Sequence, residues 1–560
     1  MQIAIGAQIG YQAGAGGEVG VFDYLIRDEF TTDLAAGSVD GTDAEPGPGR
    51  REITDSENKI SISGGKLLFA SGRTSPSYAD PYAAIGPIDR VPGRVGVTRV
   101  TFSTTSGQFL FGGGNPAPGT AQNSSWRVTN GALEADNAFA FSWVSVGSFS
   151  VATIDFAVAW RSHGGFYLRK VGSNWLLYWM DKGDDGLSRF AFADRSMANV
   201  AVDFVRVPAQ RWLPVPLVSD GFSALNSDGL GHPEGVSGGL GSGGDGVAWT
   251  GSAWSVASGV ASNTPVKGSD LSLNGNLEEW NSATDLFGWT EQIAGSTTIN
   301  QEATELHGGS YAARFAIDAS NNVAKISQNI SCTTGDWLLV TVWAKTNVDG
   351  RSIAIDENFG SNSGPALKLS TTYTPYVTLI RATKDNTDIG IKRSTGTSAN
   401  LYIDDISIQV VTLTSLLRTV DAGDDDVLAT VAITRVAGSL AGLVIALDSV
   451  ATPANFILVF LDGSGYVRVA KVVAGTYTPL ASTAITYSAG AELRVIKSGS
   501  AVRVYYNNAL VGSELTISDA GIINNTLHGL FSTDAGNTFD NFTVYARGTA
   551  GDYDSVLDAI

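Results

Sequence analysis

The chain has 560 residues, with 36 Lys and Arg against 55 Asp and Glu, a net charge of −19, and only 16% charged residues in all. A nucleic-acid partner is not expected, because phosphate binding needs clustered Lys and Arg to displace counterions, and no such cluster occurs. Attraction to an anionic membrane surface is not expected, on the same ground. With 66 glycines and no long Glu/Lys/Leu-rich run, coiled coils and helical repeats give way to short strands joined by tight turns.

Residues 1–22 are glycine-rich and hold no core of their own. They lack a basic n-region and a continuous apolar run, so no secretory leader is expected there, and they read as an N-terminal attachment arm. Beyond them, apolar and polar residues alternate with period two at 59–69, 95–102, 200–207, 401–411, 491–506 and 541–545, the pattern of half-buried antiparallel strands. The apolar run 139–160 contains Asp155 as its single charge. Its β-branched and aromatic residues and the Gly147-Ser148 turn make it two strands, and no membrane insertion is expected.

Internal repetition organises the chain. One unit opens Asp28-Glu29-Phe30 and closes at 202–207, VDFVRV; a second opens Asp220-Gly221-Phe222 and closes at 539–545, FDNFTVY. Residues 271–411 interrupt the second unit, and removing them brings it close to the length of the first. Strand 95–102 then corresponds to 426–434. The domains are read as 1–22, the arm; 23–213, a first sandwich; 214–270 with 412–548, a second; 271–411, an inserted sandwich; and 549–560, a tail. The fold class is all-β, tandem antiparallel β-sandwiches of jelly-roll type. Insertion into a surface loop with neighbouring ends is well tolerated.

The segments AELRVIKSGSAVRVYYNNALVG (491–512) and GGFYLRKVGSNWLLYWMDKGDDG (164–186) resemble strand pairs of laminin-G/concanavalin A-like sandwiches. In the insert, Asn274-Gly275-Asn276-Leu277-Glu278-x-Trp280, Gly288-Trp289, His307-Gly308-Gly309-Ser310-Tyr311 and Tyr402-Ile403-Asp404-Asp405-Ile406 follow in the order seen in family 4/9/22-type carbohydrate-binding modules. That resemblance implies a jelly roll and a structural calcium held between Glu278 and Asp405, since oxygen donors from both ends of the domain would clip it shut. Sugar binding needs aromatic faces for pyranose rings, and the insert offers Trp289, Trp337, Tyr373 and Tyr376 as candidates. Trp343, within LLVTVWAK, reads as core.

No catalytic residues are expected. Glycoside hydrolysis needs two carboxylates across a cleft. The glucanases of the concanavalin A-like fold place them in E-x-D-x-x-E, whereas here Glu134-x-Asp136 is followed by Phe139 at the second Glu position. Gly239-Leu240-Gly241-Ser242-Gly243-Gly244 has neither the strand nor the helix that a phosphate loop requires. Cys332 stands alone, and His163, His232, His307 and His528 are scattered, so zinc and non-haem iron are not expected. The acidic run Asp421, Asp424, Asp425, Asp426 reads as a solvated loop.

Lectin-like sandwiches without a leader, a disulfide or a catalytic motif lead to the expectation of a non-enzymatic bacteriophage virion structural protein (tail fibre, baseplate or capsid appendage). Such particles assemble in a reducing cytoplasm and leave by lysis. Its expected partners are other virion proteins, a cell-surface glycan and further copies of itself, the last because unbroken apolar β surface needs covering. The alternative is a secreted or cell-surface carbohydrate-binding protein of a polysaccharide-degrading system.

Overall fold

Period-two alternation turns into strands that bury every second side chain, as at Ile60–Ile62 and Leu67–Phe69, where the middle residue of each alone stays half-exposed. The computed structural model describes residues 24–546 apart from 45–49, 55–57, 71–81, 87–94, 115–125, 138–141, 149, 151, 161–164, 172–173, 181–188, 195–196, 198, 209–217, 221, 223–248, 251–252, 259, 318–322, 358–361 and 396–397. The arm 1–22, the tail 549–560 and the glycine motif at 239–244 lie outside them. Among the described residues the protein is all-β, built of antiparallel sandwiches, with one short helix, Leu413–Leu416; no helix is long and apolar enough to cross a membrane. The chain divides into two units, Met1–Val215 with Tyr545–Ile560, and Pro216–Val544.

In the first unit, one sheet runs Asn174–Met180, Gly165–Val171, Thr153–Trp160, Val95–Phe102, Val200–Pro208, Leu67–Phe69, Ile60–Ile62, with Tyr24–Asp28 added on Val200–Pro208. The other runs Ser142–Ser148, Ala132–Asn137, Trp126–Thr129, Gln108–Gly114, Arg189–Asp194, Tyr82–Gly86, Arg50–Thr54. Aromatic rings fill the core: Phe156 lies 4.5 Å from Phe111 and 5.4 Å from Trp126, and Phe109 lies 5.2 Å from Phe69, between ring centroids.

The second unit repeats this strand order. Val427–Thr434 sits between Ala491–Ser498 and Thr538–Ala546 just as Val95–Phe102 sits between Thr153–Trp160 and Val200–Pro208. Its other sheet runs Leu417–Asp421, Leu527–Ser532, Ala441–Leu447, Phe456–Leu461, Tyr466–Val473, Thr476–Ala484. The opening residues play the same part in both copies. The buried Asp28 and Asp220 carboxylates accept the N–H of Phe30 (3.1 Å) and Phe222 (2.8 Å), each of which holds a positive φ, 52° and 51°. Asp28 then takes the Arg51 guanidinium at 2.6 Å through both oxygens, whereas Asp220 takes the Trp249 indole N–H at 2.8 Å.

The inserted sandwich has one sheet ordered Thr298–Glu302, Ala312–Ile317, Ala399–Val411, Trp337–Thr346, Thr374–Arg381. The other is ordered Thr290–Ile293, Ala324–Ile330, Thr387–Thr395, Ser352–Glu357, Asn362–Ser363. Leu338, Val340, Val342 and Ala344 point into the core between them. Trp337 and Leu339, on the opposite face, enter a separate apolar cluster with Leu379, Val411 and, from the host sandwich, Leu416, Val444, Phe456, Leu458, Phe460 and Phe531. This explains Phe456–Leu461, FILVFL, buried at every position. Ile457, Val459 and Leu461 line the host core, while the intervening residues meet the insert. The apolar surface that suggested a covering subunit is, on this strand, covered by the same chain. The junction is tight enough to demand a glycine: Gly438, at φ +80°, would drive a Cβ to 2.4 Å from the Pro375 carbonyl oxygen of the insert.

The acidic run is a partly solvated loop: Asp421 is exposed, and Asp424, Asp425 and Asp426 are half-buried around a buried lysine. Buried Lys497 donates to the carbonyls of Asp425 (2.8 Å) and Ile523 (2.7 Å) and pairs with the Asp425 and Asp426 carboxylates at 3.5 and 3.7 Å. Beside it, fully buried His528 donates from Nε2 to the Asp424 carbonyl (3.0 Å) and accepts the Ala446 N–H at Nδ1 (3.3 Å), an arrangement only the neutral ring satisfies. Burial pushes this imidazole down to about 4 from its usual 6.5.

The unfolded chain therefore takes up a proton that the folded chain refuses. The stabilisation from His528 is complete above pH 6.5 and is lost as pH falls from there towards 4, by up to ~3 kcal/mol. Urea midpoints measured at pH 7, 5.5 and 4 should show that slope in the native chain and a flatter one in His528→Gln. At the junction, Leu416→Ala should remove about 2–5 kcal/mol from the second unit. Calorimetry should then show host and insert still melting in one transition at lower temperature; two separated transitions would contradict the shared core.

Candidate functional site

The face of Trp337–Thr346 that carries Trp337 and Leu339 continues past the host. There it presents Thr341, Trp343 and Lys345, all half-buried. Pairing sets Trp343 opposite Asp404 on one side and Pro375 on the other, Lys345 opposite Tyr402, and Tyr402 opposite Arg314. A register shift between Val342 and Trp343 leaves Asp405 as an extra residue at φ 39°, so Asp404 and Asp405 are re-aimed at the end of this face.

The segment 303–311 folds over it, pinned by carboxylates. Buried Glu302 accepts the N–H groups of Ala303 and Thr304 at 3.1 and 2.8 Å and the Thr304 hydroxyl at 2.5 Å. Asp404, fully buried, accepts the N–H groups of His307 (2.8 Å) and Gly308 (3.2 Å). Glu278 accepts those of Ser310 (2.9 Å) and Tyr311 (3.1 Å). Held this way, the His307 ring stacks on the Trp343 indole, with centroids 3.7 Å apart and planes 16° from parallel. Tyr373 lies 5.7 Å from His307 and donates its hydroxyl to the Glu305 carbonyl at 2.9 Å. The Lys345 ammonium binds the Glu305 carboxylate and sits over the rings of Tyr373 (5.1 Å) and Tyr402 (5.3 Å). Arg314 reaches Glu302 at 3.3 Å.

The electrostatics follow from this packing. Burial, with a smaller contribution from Asp405, raises Asp404 above the usual carboxylate range despite its N–H partners. Burial also opposes ionisation of Glu302, but the Thr304 hydroxyl and surrounding N–H groups, with Arg314, hold it below that range. Burial and the neighbouring carboxylates Asp404, Glu302 and Glu305 push the Tyr373 hydroxyl far up, so it remains a donor. The face thus combines flat rings, an ammonium, a guanidinium and carboxylates within one patch.

Of the four aromatic candidates, only Tyr373 reaches this patch. Trp289 is 6% exposed in the insert core, with its indole N–H on the Asn274 carbonyl at 3.3 Å. Tyr376 is 1% exposed in the same core, its hydroxyl accepting the Ser370 N–H at 2.7 Å. Trp337 is 7% exposed and meets Tyr477 edge-on at the junction, 5.9 Å between centroids. None of these three has a ring face free for a sugar, because each lies on the side of its strand that packing covers. Trp343, read as core, lies outside it. The signal was the opposite parity: Leu338, Val340, Val342 and Ala344 form one face, and Thr341, Trp343 and Lys345 the other. His307 and Tyr402 stand in the motifs of the module resemblance without a role assigned to them, and Lys345 and Arg314 had no local signal, since pairing across distant strands assembles the four. In the first unit, Glu134 is paired with Arg127 at 2.6 Å.

No protein-family profile matches the chain, and no curated protein matches it. Among solved structures it is similar to the carbohydrate-binding module TmCBM61 in complex with β-1,4-galactotriose, at 18% identity over 25% of this chain and 98% of that one, TM-score 0.20. It is similar also to the first family 22 xylan-binding domain of Paenibacillus barcinonensis Xyn10C, at 14% identity over 24% and 92% of the two chains, TM-score 0.20. A third is a tail fibre protein of an Escherichia coli phage, at 9% identity over 47% and 40%, TM-score 0.17. Likenesses at this level say nothing of what this chain binds.

Glu278 and Asp405 do not fit a calcium ion as they stand. Glu278 faces the positive ends of two backbone N–H groups, and Asp405 Oδ2 lies 2.6 Å from His307 Nδ1. Among the described residues no group of three acidic, His or Cys side chains converges as a cation cage. Millimolar calcium added to the full chain should leave its melting temperature unchanged in calorimetry; a rise of several degrees would show that the loop 307–311 rearranges around a cation.

Proposed function

We propose that this chain is a non-enzymatic, glycan-binding structural protein and that the outer face of the inserted sandwich is where it meets sugar. The observation that carries this reading is the half-buried Trp343–His307 stack beside Tyr373, ringed by Lys345, Glu305, Arg314 and Glu302. A pyranose offers an apolar C–H face and a rim of hydroxyls that both donate and accept. Aromatic carbon takes the first, and mixed ammonium, guanidinium and carboxylate groups take the second.

The finer reading is a bacteriophage virion appendage, assembled in the host cytoplasm with other virion proteins and further copies of itself. A single cysteine and stability drawn from apolar cores support assembly in a reducing compartment. Electron microscopy of purified material separates this from the secreted carbohydrate-binding alternative: fibres or rings support the virion reading, and a monomer that binds glycan supports the other.

The site is tested on a glycan array with the full chain. Trp343→Ala should weaken the strongest signal by about tenfold or more, with the circular dichroism of the folded parent retained and a melting temperature lowered by a few degrees through the lost stack on His307. Full retention of binding would move the site elsewhere.

A further inference from the structure

The first unit carries a recess that the reading above does not use. Its floor is the outer face of the sheet holding Val95–Phe102, Thr153–Trp160 and Val200–Pro208, and it is a solvent-open recess of about 630 Å3, a size that suits a small ligand. A bulge builds it: the register of Val200–Pro208 against Val95–Phe102 shifts between Val202 and Phe204. Val202 and Val205 stay in the core, so Asp203 and Phe204 emerge side by side on the outer face.

Of the seven charged side chains that line the recess, six come in matched pairs around that bulge, and the seventh, Lys170, stands over the Trp175 ring at 6.0 Å. Arg99 grips both oxygens of Asp155 through Nε (2.6 Å) and Nη2 (3.0 Å), Arg206 grips Glu29 at 2.7 and 3.0 Å, and Lys66 meets Asp203 at 3.0 Å. The Arg206 and Arg99 guanidiniums lie over the Phe204 ring at 4.3 and 5.3 Å, which fixes where the pairs stand. At each of these three pairs a phosphate or other anion would have to displace a carboxylate from its cation. A hydroxyl need not, because it donates to the carboxylate and accepts from the cation at the same time. Arg99 is 43% exposed at its side chain, so an incoming ligand can reach it.

We propose that the recess around Arg99, Asp155, Asp203 and Phe204 is a second saccharide site, which takes a neutral sugar by its hydroxyls. The proposal deepens the glycan-binding reading and rests on it, and it makes the chain bivalent: one site is in each unit. A stacking platform dominates in the insert; paired charges dominate here.

The test uses the full chain on an array of neutral and acidic saccharides, with solution titration of each hit. The Trp343→Ala chain should retain binding to a neutral glycan. Arg99→Gln or Asp155→Asn, added to it, should lower that remainder by tenfold or more, with melting temperatures within a degree or two of the parent. Inorganic phosphate at 10 mM should not compete. The proposal is overturned if Trp343→Ala alone abolishes all binding, an outcome that leaves the insert site standing. It is equally overturned if both recess variants bind as the parent does, or if phosphate displaces the glycan. A chain that loses binding through the recess variants and not through Trp343→Ala upholds the recess and removes the insert site. No binding by the native chain to any saccharide removes both.

Discussion

Trp337 and Leu339, packed on Phe456, Leu458 and Phe460, decide how the second unit works as a body. The inserted sandwich could have hung from its two connections as a loosely tethered module. Instead, one half of its outer sheet face is consumed by the host and the other half is overlaid only by the insert's own segment 303–311. The half packed on the host holds the insert in one orientation. The other half, a few residues farther along the same strand, is the face that carries Trp343 and Lys345. Core, junction and site are therefore successive readings of one strand, separated only by parity and by how far the host extends.

That arrangement also marks where sequence reasoning succeeds and where it stops. Alternation at 95–102 or 491–506 reports that a strand is buried on one side, and the twice-repeated Asp-x-Phe opening reports two copies of one design. Neither depends on what lies far away. In FILVFL both faces are apolar, and periodicity cannot say whether the second face meets another subunit, another domain or more of its own sheet. Aromatic identity misleads in the same way. Trp289, Trp337 and Tyr376 have the right chemistry for a sugar, but their positions on their strands place them inside. The parity of LLVTVWAK was readable and assigns Trp343 outward. The stack on His307 was not readable, because it depends on a loop that Glu278, Glu302 and Asp404 pin from three separate places.

Buried polar groups tell a related story. Asp28 with Arg51, and Lys497 with Asp425, Asp426 and two carbonyls, place charge inside the sandwiches, with Asp28, Arg51 and Lys497 all buried. Each joins segments far apart in sequence, and each leaves a costly unpaired charge if its partners move. The two sandwiches share the order of their matched strands, and the second sheet of the first unit carries one more described strand, Arg50–Thr54. The copies differ also at the buried opening aspartate, which the first answers with a guanidinium and the second with an indole N–H.

The insert's chain connections have a mechanical consequence. The strand that enters, Lys267–Asp270, pairs antiparallel with the end of the strand that leaves, Lys267 lying opposite Val411, and the Thr412 N–H closes on the Val266 carbonyl at 3.0 Å. Tension applied along the chain therefore passes from 266 to 412 across neighbouring backbone, without travelling through the sandwich between them. The insert is a side branch with respect to force. Its outer face can keep its shape while the molecule that bears it is pulled, and a load applied at that face is delivered sideways into the host sheet through the apolar junction.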